Sequence, residues 1–490
     1  MATVQPHPVR AGRGVELGLL LLALALSIAG YALVGLGTEG RVPADVLGYG
    51  AGLTALAVAM HLVLRWRAPF ADPVILPVAV ALNGIGLAMI YRIDIAYEAR
   101  EKAAGFAERQ LGWTAISVVL AALVLVLLRD HRTLRRYTYT AMVVALVLVA
   151  LPLVPVIGQQ INGARIWVRV GGVGMQPAEF AKIVLAVFFA GYLVTHRDTL
   201  ALAGPKVLGL QLPRLRDLGP ILIVWAVSLA VLVLERDLGT SLLLFGLFVA
   251  MLYIATERLS WIVIGMALFV GGAAMAATAF PHVGARFDVW LHPFDQEIFD
   301  RSPGGSGQLV RGLFGLANGG LFGTGWGSGR PDLVPFAESD FIVASLGEEL
   351  GLTGLLALLL CYTILTERGL RTAIGVRDGF GKLLAGGLAF VVAFQTFVVV
   401  GGVTRIIPLT GLTTPFLAYG GSSLLANWVI VALLLRISDE ARRPAPVVRA
   451  VPTPEIGTPV TAGTRSPAAG TPAVPSPGDD QPTQRIGGLS

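Results

Sequence analysis

The chain has 490 residues, of which 55% are hydrophobic and only 14% charged, with a mean hydropathy of +0.73. A soluble domain cannot clothe its surface from that composition, so the chain reads as a polytopic membrane protein. The net charge of +6 sits in short segments between apolar runs, a topology pattern that speaks against nucleic-acid binding, and the single cysteine, Cys361, excludes an internal disulfide or a cysteine-based metal site.

Residues 1–14 read as a cytoplasmic segment. The apolar run behind Arg10 and Arg13 is longer than a signal-peptide core and lacks a small-residue cleavage site, so it reads as a retained first helix. Apolar stretches long enough to cross about 30 Å of hydrocarbon fall at 15–37, 46–64, 73–91, 110–128, 138–157, 177–195, 218–234, 238–255, 259–279, 341–365, 383–404 and 414–436. These twelve spans predict an all-α membrane fold with both termini on one side. Basic clusters at 129–136, 206–216 and 368–382, with Arg442 and Arg443, share the N-terminal side, so both termini are placed in the cytoplasm. Arg92, Arg100, Lys102 and Arg109 run against that bias. The polar interval 281–340, between the ninth and tenth spans, then forms a large extracellular loop. Residues 441–490 are rich in Pro, Thr, Ala and Gly and read as a disordered cytoplasmic tail.

Charged groups in or beside a span are costly unless paired or hydrated, so four clusters are candidate sites. The first is Asn162-Gly-Ala-Arg165-Ile-Trp167 with Gln176-Pro-Ala-Glu179-Phe-Ala-Lys182. Pro177 suits a first helical turn, and Glu179 and Lys182 at i, i+3 can neutralise each other. They are either an ion pair joining helices or the wall of a polar cavity in which Arg165 meets phosphate. In the second, Glu235-Arg-Asp237-Leu-Gly-Thr240-Ser241, Asp237 or Thr240 suits a helix N-cap. The third is the loop, with Asp295, Glu297 and Asp300 before Gly304-Gly-Ser-Gly307-Gln308, then Gly323-Thr-Gly-Trp-Gly-Ser-Gly-Arg-Pro-Asp332. An acid on such a loop is either simply solvated or placed for chemistry. The fourth, Thr404-Arg405-Ile-Ile-Pro408 through Pro415 to Ser422-Ser423, has too many prolines and glycines for a continuous helix. An unwound segment packed by protein or lining a cavity is expected there, with Arg405 suited to an anion.

Together these segments resemble the SEDS family of bacterial cell-wall polymerases, the group of RodA, FtsW and SpoVE. The matching pieces are Asn162–Trp167, Gln176–Lys182, Asp237–Ser241, Ser339-Asp-Phe-Ile-Val-Ala-Ser-Leu-Gly-Glu-Glu-Leu-Gly351 and Leu409–Ser423. The resemblance is closer to the elongation-type, RodA-like branch of actinobacterial type. It implies a ten-helix core at 69–440, with 15–68 as two additional N-terminal helices. It also implies a peptidoglycan glycosyltransferase that polymerises lipid II on the outer membrane face, releases undecaprenyl diphosphate and works with a class B penicillin-binding protein. The family's essential loop acid lies in an Asp-Pro pattern before Gly-x-Gly-Tyr-Gln. Here the corresponding stretch reads Asp300-Arg-Ser-Pro-Gly-Gly-Ser-Gly-Gln308, so Asp300 is expected to be the catalytic acid and Asp295 the second candidate. Arg165, Trp167, Glu179, Lys182, Arg405, Ser422 and Ser423 are assigned to the substrate, with Asp237, Asp340 and Glu348 as a supporting polar cluster.

The expected chemistry is general-base removal of a sugar hydroxyl proton by Asp300, with arginines stabilising the departing diphosphate. No cofactor is evident, and Mg or Mn stays open. The rival readings are a lipid II flippase, for which broken helices are equally expected, and a non-catalytic scaffold of the elongation or division machinery.

Overall fold

The computed structural model describes residues 12–161, 164–201, 206–207, 210–211, 226, 230, 237–302 and 304–444. Among them, 11 helical segments are long and apolar enough to cross a membrane. They are α1 (Arg13–Glu39), α2 (Val46–Arg67), α3 (Ile75–Glu98), α4 (Phe106–Leu127), α5 (Thr138–Ala150, extended by 3-10 turns to His131 and Leu153), α6 (Pro177–Ala201), α7 (Leu238–Thr256), α8 (Ser260–Ala279), α12 (Ile342–Gly375), α13 (Gly379–Val403) and α14 (Gly421–Arg442). Three shorter helices build the 281–340 interval: α9 (Pro281–Leu291), α10 (Gln296–Phe299) and α11 (Gly307–Gly319). Apart from residues 226 and 230, the expected span at 218–234 lies outside the described residues, as does the tail at 445–490.

Contacts define two ends of the bundle. Arg442 reaches Asp72, while His131 bonds Asp378 and Arg132 approaches Glu440, so both chain ends of the described region lie at one end. At the other, Arg100 and Lys102 bind Asp332, and the Tyr419 amide donates to the Glu338 carbonyl. This loop-bearing end carries the 281–340 interval and the 404–420 segment. Helices α3, α6, α13 and α14 are the most enclosed, and α8 is almost wholly exposed, as a lipid-facing helix should be.

The all-helical expectation missed one element. Gly158–Ile161, Ala164–Val170 and Val173–Met175 form a three-stranded antiparallel sheet, β1-β2-β3, with Gln159 opposite Trp167 and Val168 opposite Met175. The alternation Ala-Arg-Ile-Trp-Val-Arg-Val is the period-2 signal for it: Arg165, Trp167 and Arg169 line one face, and buried Val168 belongs to the other. A short pair, β4 (Lys206–Val207) with β5 (Leu210–Gln211), follows α6.

The irregular segment 404–420 is satisfied by side chains, as backbone without helix must be inside a membrane protein. Gln395 Nε2 donates to the Thr413 carbonyl, Gln110 brackets the chain at Ala418 and Gly420, and the Tyr362 hydroxyl donates to the Pro415 carbonyl. Helix α12 is likewise broken. Gly351 has φ +69°, and the freed amides of Leu352 and Thr353 bond the carbonyls of Gly320 and Leu321 at 2.9 and 3.0 Å. The glycine-rich turn of the loop therefore plugs the gap in α12.

Candidate active site

Three polar assemblies meet at the loop-bearing end. The deepest is built on α6, where Pro177 opens the helix and the i, i+3 spacing stacks Glu179 under Lys182. The Lys182 ammonium lies 2.5 Å from Glu179 and donates to Gln395 Oε1 at 2.8 Å, while Gln395 Nε2 donates onward to the Thr413 carbonyl. Lys182 is 1% exposed, so the pair forms a sealed joint between α6, α13 and the unwound segment. Ser422 belongs to the same wall, accepting the Gln176 amide at 3.0 Å, and Ser423 is held by Asn427. Arg165 is exposed and Trp167 half-buried on β2, which joins this wall through β3.

The second assembly centres on Arg286 of α9, which sequence reasoning overlooked. Val283, Arg286 and Val289 share the inward face of α9, and a lone arginine at i+3 spacing between buried valines was the legible signal. Arg286 donates to the Leu409 carbonyl at 2.8 Å. Burial pushes its guanidinium down, while the charges of Asp237 and Asp340 pull it back up. Asp237 caps α7, accepting the Thr240 amide at 2.9 Å, and its Oδ2 has no hydrogen-bond partner among the described residues. Burial pushes the Asp237 carboxyl above its ordinary value, with Thr240 opposing. Burial also lifts Asp340 to about 6, against hydrogen bonds from Ser339 and Gln308. The charges of Asp237 and Asp340 thus act on one half-buried cation.

Glu348 does not join them. It accepts from Asn318 at 3.0 Å and sits beside Glu349, whose carboxylate takes Arg92 Nε at 2.8 Å and the amides of Gly327 and Gly329 at 2.9 and 3.3 Å. The expected supporting cluster is therefore two clusters, one under α9 and one under the glycine-rich turn. Arg92, read from the sequence as a loop charge, lies inside α3, and Glu349, within the tenth span, was not singled out as a site residue.

The third assembly is the loop rim. Asp300 is exposed at the end of α10 and accepts from Gln296, and Asp295 is exposed with His292 Nδ1 at 4.0 Å. The loop contains no Asp-Pro pair; after α9 it reads His292-Pro293-Phe294-Asp295. Ser306, fully buried, donates to the Pro293 carbonyl and folds the rim back on itself. Arg405, with φ +62°, donates from Nε to the Trp290 carbonyl at 2.7 Å and from a terminal nitrogen to Leu291 at 2.9 Å. It pins the end of α9, from which the chain runs on to the rim acids. Exposed acids at the rim, a part-buried cation on the adjoining helix α9 and an apolar exterior suit a reaction between a hydroxyl in water and a headgroup on a membrane lipid.

Residues 73–443 match the family model of FtsW, RodA and SpoVE, described as "Cell cycle protein". The chain belongs to this family. It is 49% identical over 447 residues to the "Peptidoglycan glycosyltransferase RodA" of Mycobacterium tuberculosis, covering 91% of this chain and 94% of that protein. To "Stage V sporulation protein E" of Bacillus subtilis it is 32% identical over 380 residues, covering 76% and 98%. Its fold resembles a chain of a peptidoglycan synthase complex that coordinates polymerization and crosslinking (TM-score 0.58, 24% identity, 76% and 99% covered). It also resembles the rod shape determining protein RodA of Thermus thermophilus (TM-score 0.53, 23% identity, 76% and 98% covered). The match to this multi-pass family agrees with the polytopic, RodA-like reading, and the two solved chains bear out its helical architecture.

Proposed function

We propose that the chain is a peptidoglycan glycosyltransferase of the RodA type, joining lipid II units into glycan strands for cell-wall elongation and shape. The reading draws on the name its mycobacterial relative carries across nearly the whole chain, and on one geometric observation: the exposed acids follow directly on α9, whose Arg286 feels the charges of Asp237 and Asp340. The loop-bearing end faces outward from the cytoplasmic membrane, and both termini face the cytoplasm. Asp300 takes the proton of the acceptor sugar hydroxyl as its oxygen bonds the anomeric carbon of the donor. The bond from that carbon to the diphosphate breaks, and undecaprenyl diphosphate leaves. Arg165, on the exposed face of β2, meets the leaving diphosphate; Lys182 and Glu179 hold the wall against which Trp167, Ser422 and Ser423 bind the substrate. Arg405 supports the same groove by fixing the rim. A class B penicillin-binding protein crosslinks the product. Asp295 is the second candidate for the base, and its neighbour His292 gives it a partner for the proton.

Purified full-length protein with its transpeptidase partner, given fluorescent lipid II in proteoliposomes, is expected to yield polymer that lysozyme digests. Movement of intact lipid II between leaflets without polymer would establish the flippase reading instead. Parallel reactions in Mg, in Mn and in chelator report whether a divalent cation shares the diphosphate charge.

A further inference from the structure

Helices α1 and α2 precede the segment matched by the family, which begins at residue 73, yet α1 is fastened along its whole length. At its first turn Arg13 pairs with Glu16 and donates to the Ala71 carbonyl, and His61 of α2 lies 2.7 Å from the other Glu16 oxygen. At mid-length Tyr31 stacks on Tyr49 of α2 and Tyr91 of α3 at 4.2 and 4.3 Å, and its hydroxyl donates to Asp45 at 2.6 Å. At its last turn α1 meets the 281–340 interval. Gly37 and Gly327 stand backbone to backbone: a Cβ on Gly37 would collide with the Trp326 carbonyl oxygen, and one on Gly327 would lie 2.8 Å from the Gly37 carbonyl carbon. The Trp326 ring covers Gly30 on the preceding turns of α1, at 3.6 Å from a Cβ built there.

The turn that α1 touches is the one that fills the break in α12. Its amides at Thr324 and Gly325 bond the carbonyls of Glu348 and Glu349, and those of Gly327 and Gly329 bond the Glu349 carboxylate. Gly320, Gly323, Gly325 and Gly327 all have positive φ, so this backbone has few side chains of its own to fix its height. It follows α11 without interruption, and α11 packs on α12.

We propose that α1 is a positioning element for glycosyl transfer. Gly37 and Gly30 of α1 form the outer wall that holds Trp326 and Gly327, and through residues 320–329 they set the placement of α11 and the acid-bearing rim before it. The inference rests on the polymerase reading for its kinetic consequence, but the grip of α1 on the turn stands or falls separately. Gly37 is glycine because the backbones touch, and no larger residue fits while the turn keeps its place.

The test compares Gly37→Ala with Gly18→Ala on the same helix, where an added Cβ meets nothing within 4 Å. Both exchanges carry the same gain in helix propensity, so their difference reports the contact. Trp326→Ala attacks the contact from the other side. With the full chain and its partner in proteoliposomes, Gly37→Ala and Trp326→Ala are expected to lower kcat about tenfold or more while leaving KM for lipid II within about twofold, because misplacing catalytic groups by about 1 Å costs rate rather than binding. Amide hydrogen exchange of residues 321–329 is expected to accelerate in both, and Gly18→Ala to match the parent in rate and exchange. Wild-type kcat in Gly37→Ala, or a fall in kcat with unchanged exchange at 321–329, overturns the proposal. Should Gly37→Ala fail to fold, Trp326→Ala decides by the same two readouts. A parent protein that makes no polymer refutes the polymerase reading, and the exchange comparison still settles whether α1 holds the turn.

Discussion

Glu349 and Asp300 are both loop-end carboxylates, and the molecule treats them in opposite ways. Glu349 is 1% exposed, with a guanidinium and two backbone amides on its oxygens, so about three of its four acceptor sites are taken by fixed donors. Asp300 is exposed and accepts from a single glutamine four residues away. A buried carboxylate engaged by three fixed protein donors is committed to the structure, whereas an exposed one held by a single neutral donor can exchange that partner for a sugar hydroxyl. The comparison separates acids that build the site from acids that are free to react in it.

The largest expected effect is on the building side. Glu349→Ala leaves Arg92 buried without its counter-charge and two glycine amides unpaired, and breaking such a pair costs about 3–5 kcal/mol. Thermal unfolding in detergent should show a large loss or no folded protein at all. The double change Arg92→Leu with Glu349→Leu should not restore stability, because the amides of Gly327 and Gly329 stay orphaned; full rescue would show that the carboxylate serves the arginine alone.

Asp340 lies between the two classes, half-buried and lifted by burial to about 6. A carboxyl raised above its unfolded value favours the fold in its protonated form, so its contribution is complete below about pH 4 and is lost as pH rises through about 6. Stability of the parent should therefore decline across that window, and Asp340→Asn should flatten the decline. An unchanged slope would mean that Arg286 already neutralises the site. Asp378, at the opposite end, is the smaller case and has the opposite sign. Burial alone would raise its carboxyl, but the His131 hydrogen bond, the Gly381 amide and the charges of His131 and Arg132 hold it well below the usual carboxylate range. Its contribution is present above about pH 4 and disappears as pH falls. Asp378→Asn keeps the helix cap, since Asn caps as well as Asp, and should cost about 1 kcal/mol near pH 7 from the lost charge on its bond to His131, with the gap closing in acid.

The spans were legible because crossing a membrane demands a continuous apolar run, and 15–37 or 383–404 could be little else. The Glu179 and Lys182 pair and the Asp237 cap were legible too, because both follow from spacing on a single helix. The gathering of Asp237, Arg286 and Asp340 was not, since they come from three separated segments and no local pattern records which buried charges will meet. The same reason hid the union of Gly37 with Gly327: each glycine alone reads as a loose turn or a helix end, and only the shared contact gives either a purpose. The sheet at 158–175 carried a period-2 signal in full view, overridden by the expectation of helices on both sides.

The most direct measurement is polymer formation from labelled lipid II by Asp300→Asn, Asp295→Asn and the double variant, each reconstituted with the transpeptidase partner and compared with the parent for folding. Asp300→Asn is expected to lose polymer by about a hundredfold or more, the scale of a general base, while its unfolding temperature stays with the parent because Asp300 holds nothing in place. A double variant that polymerises at the parental rate would contradict the assignment of chemistry to the exposed rim.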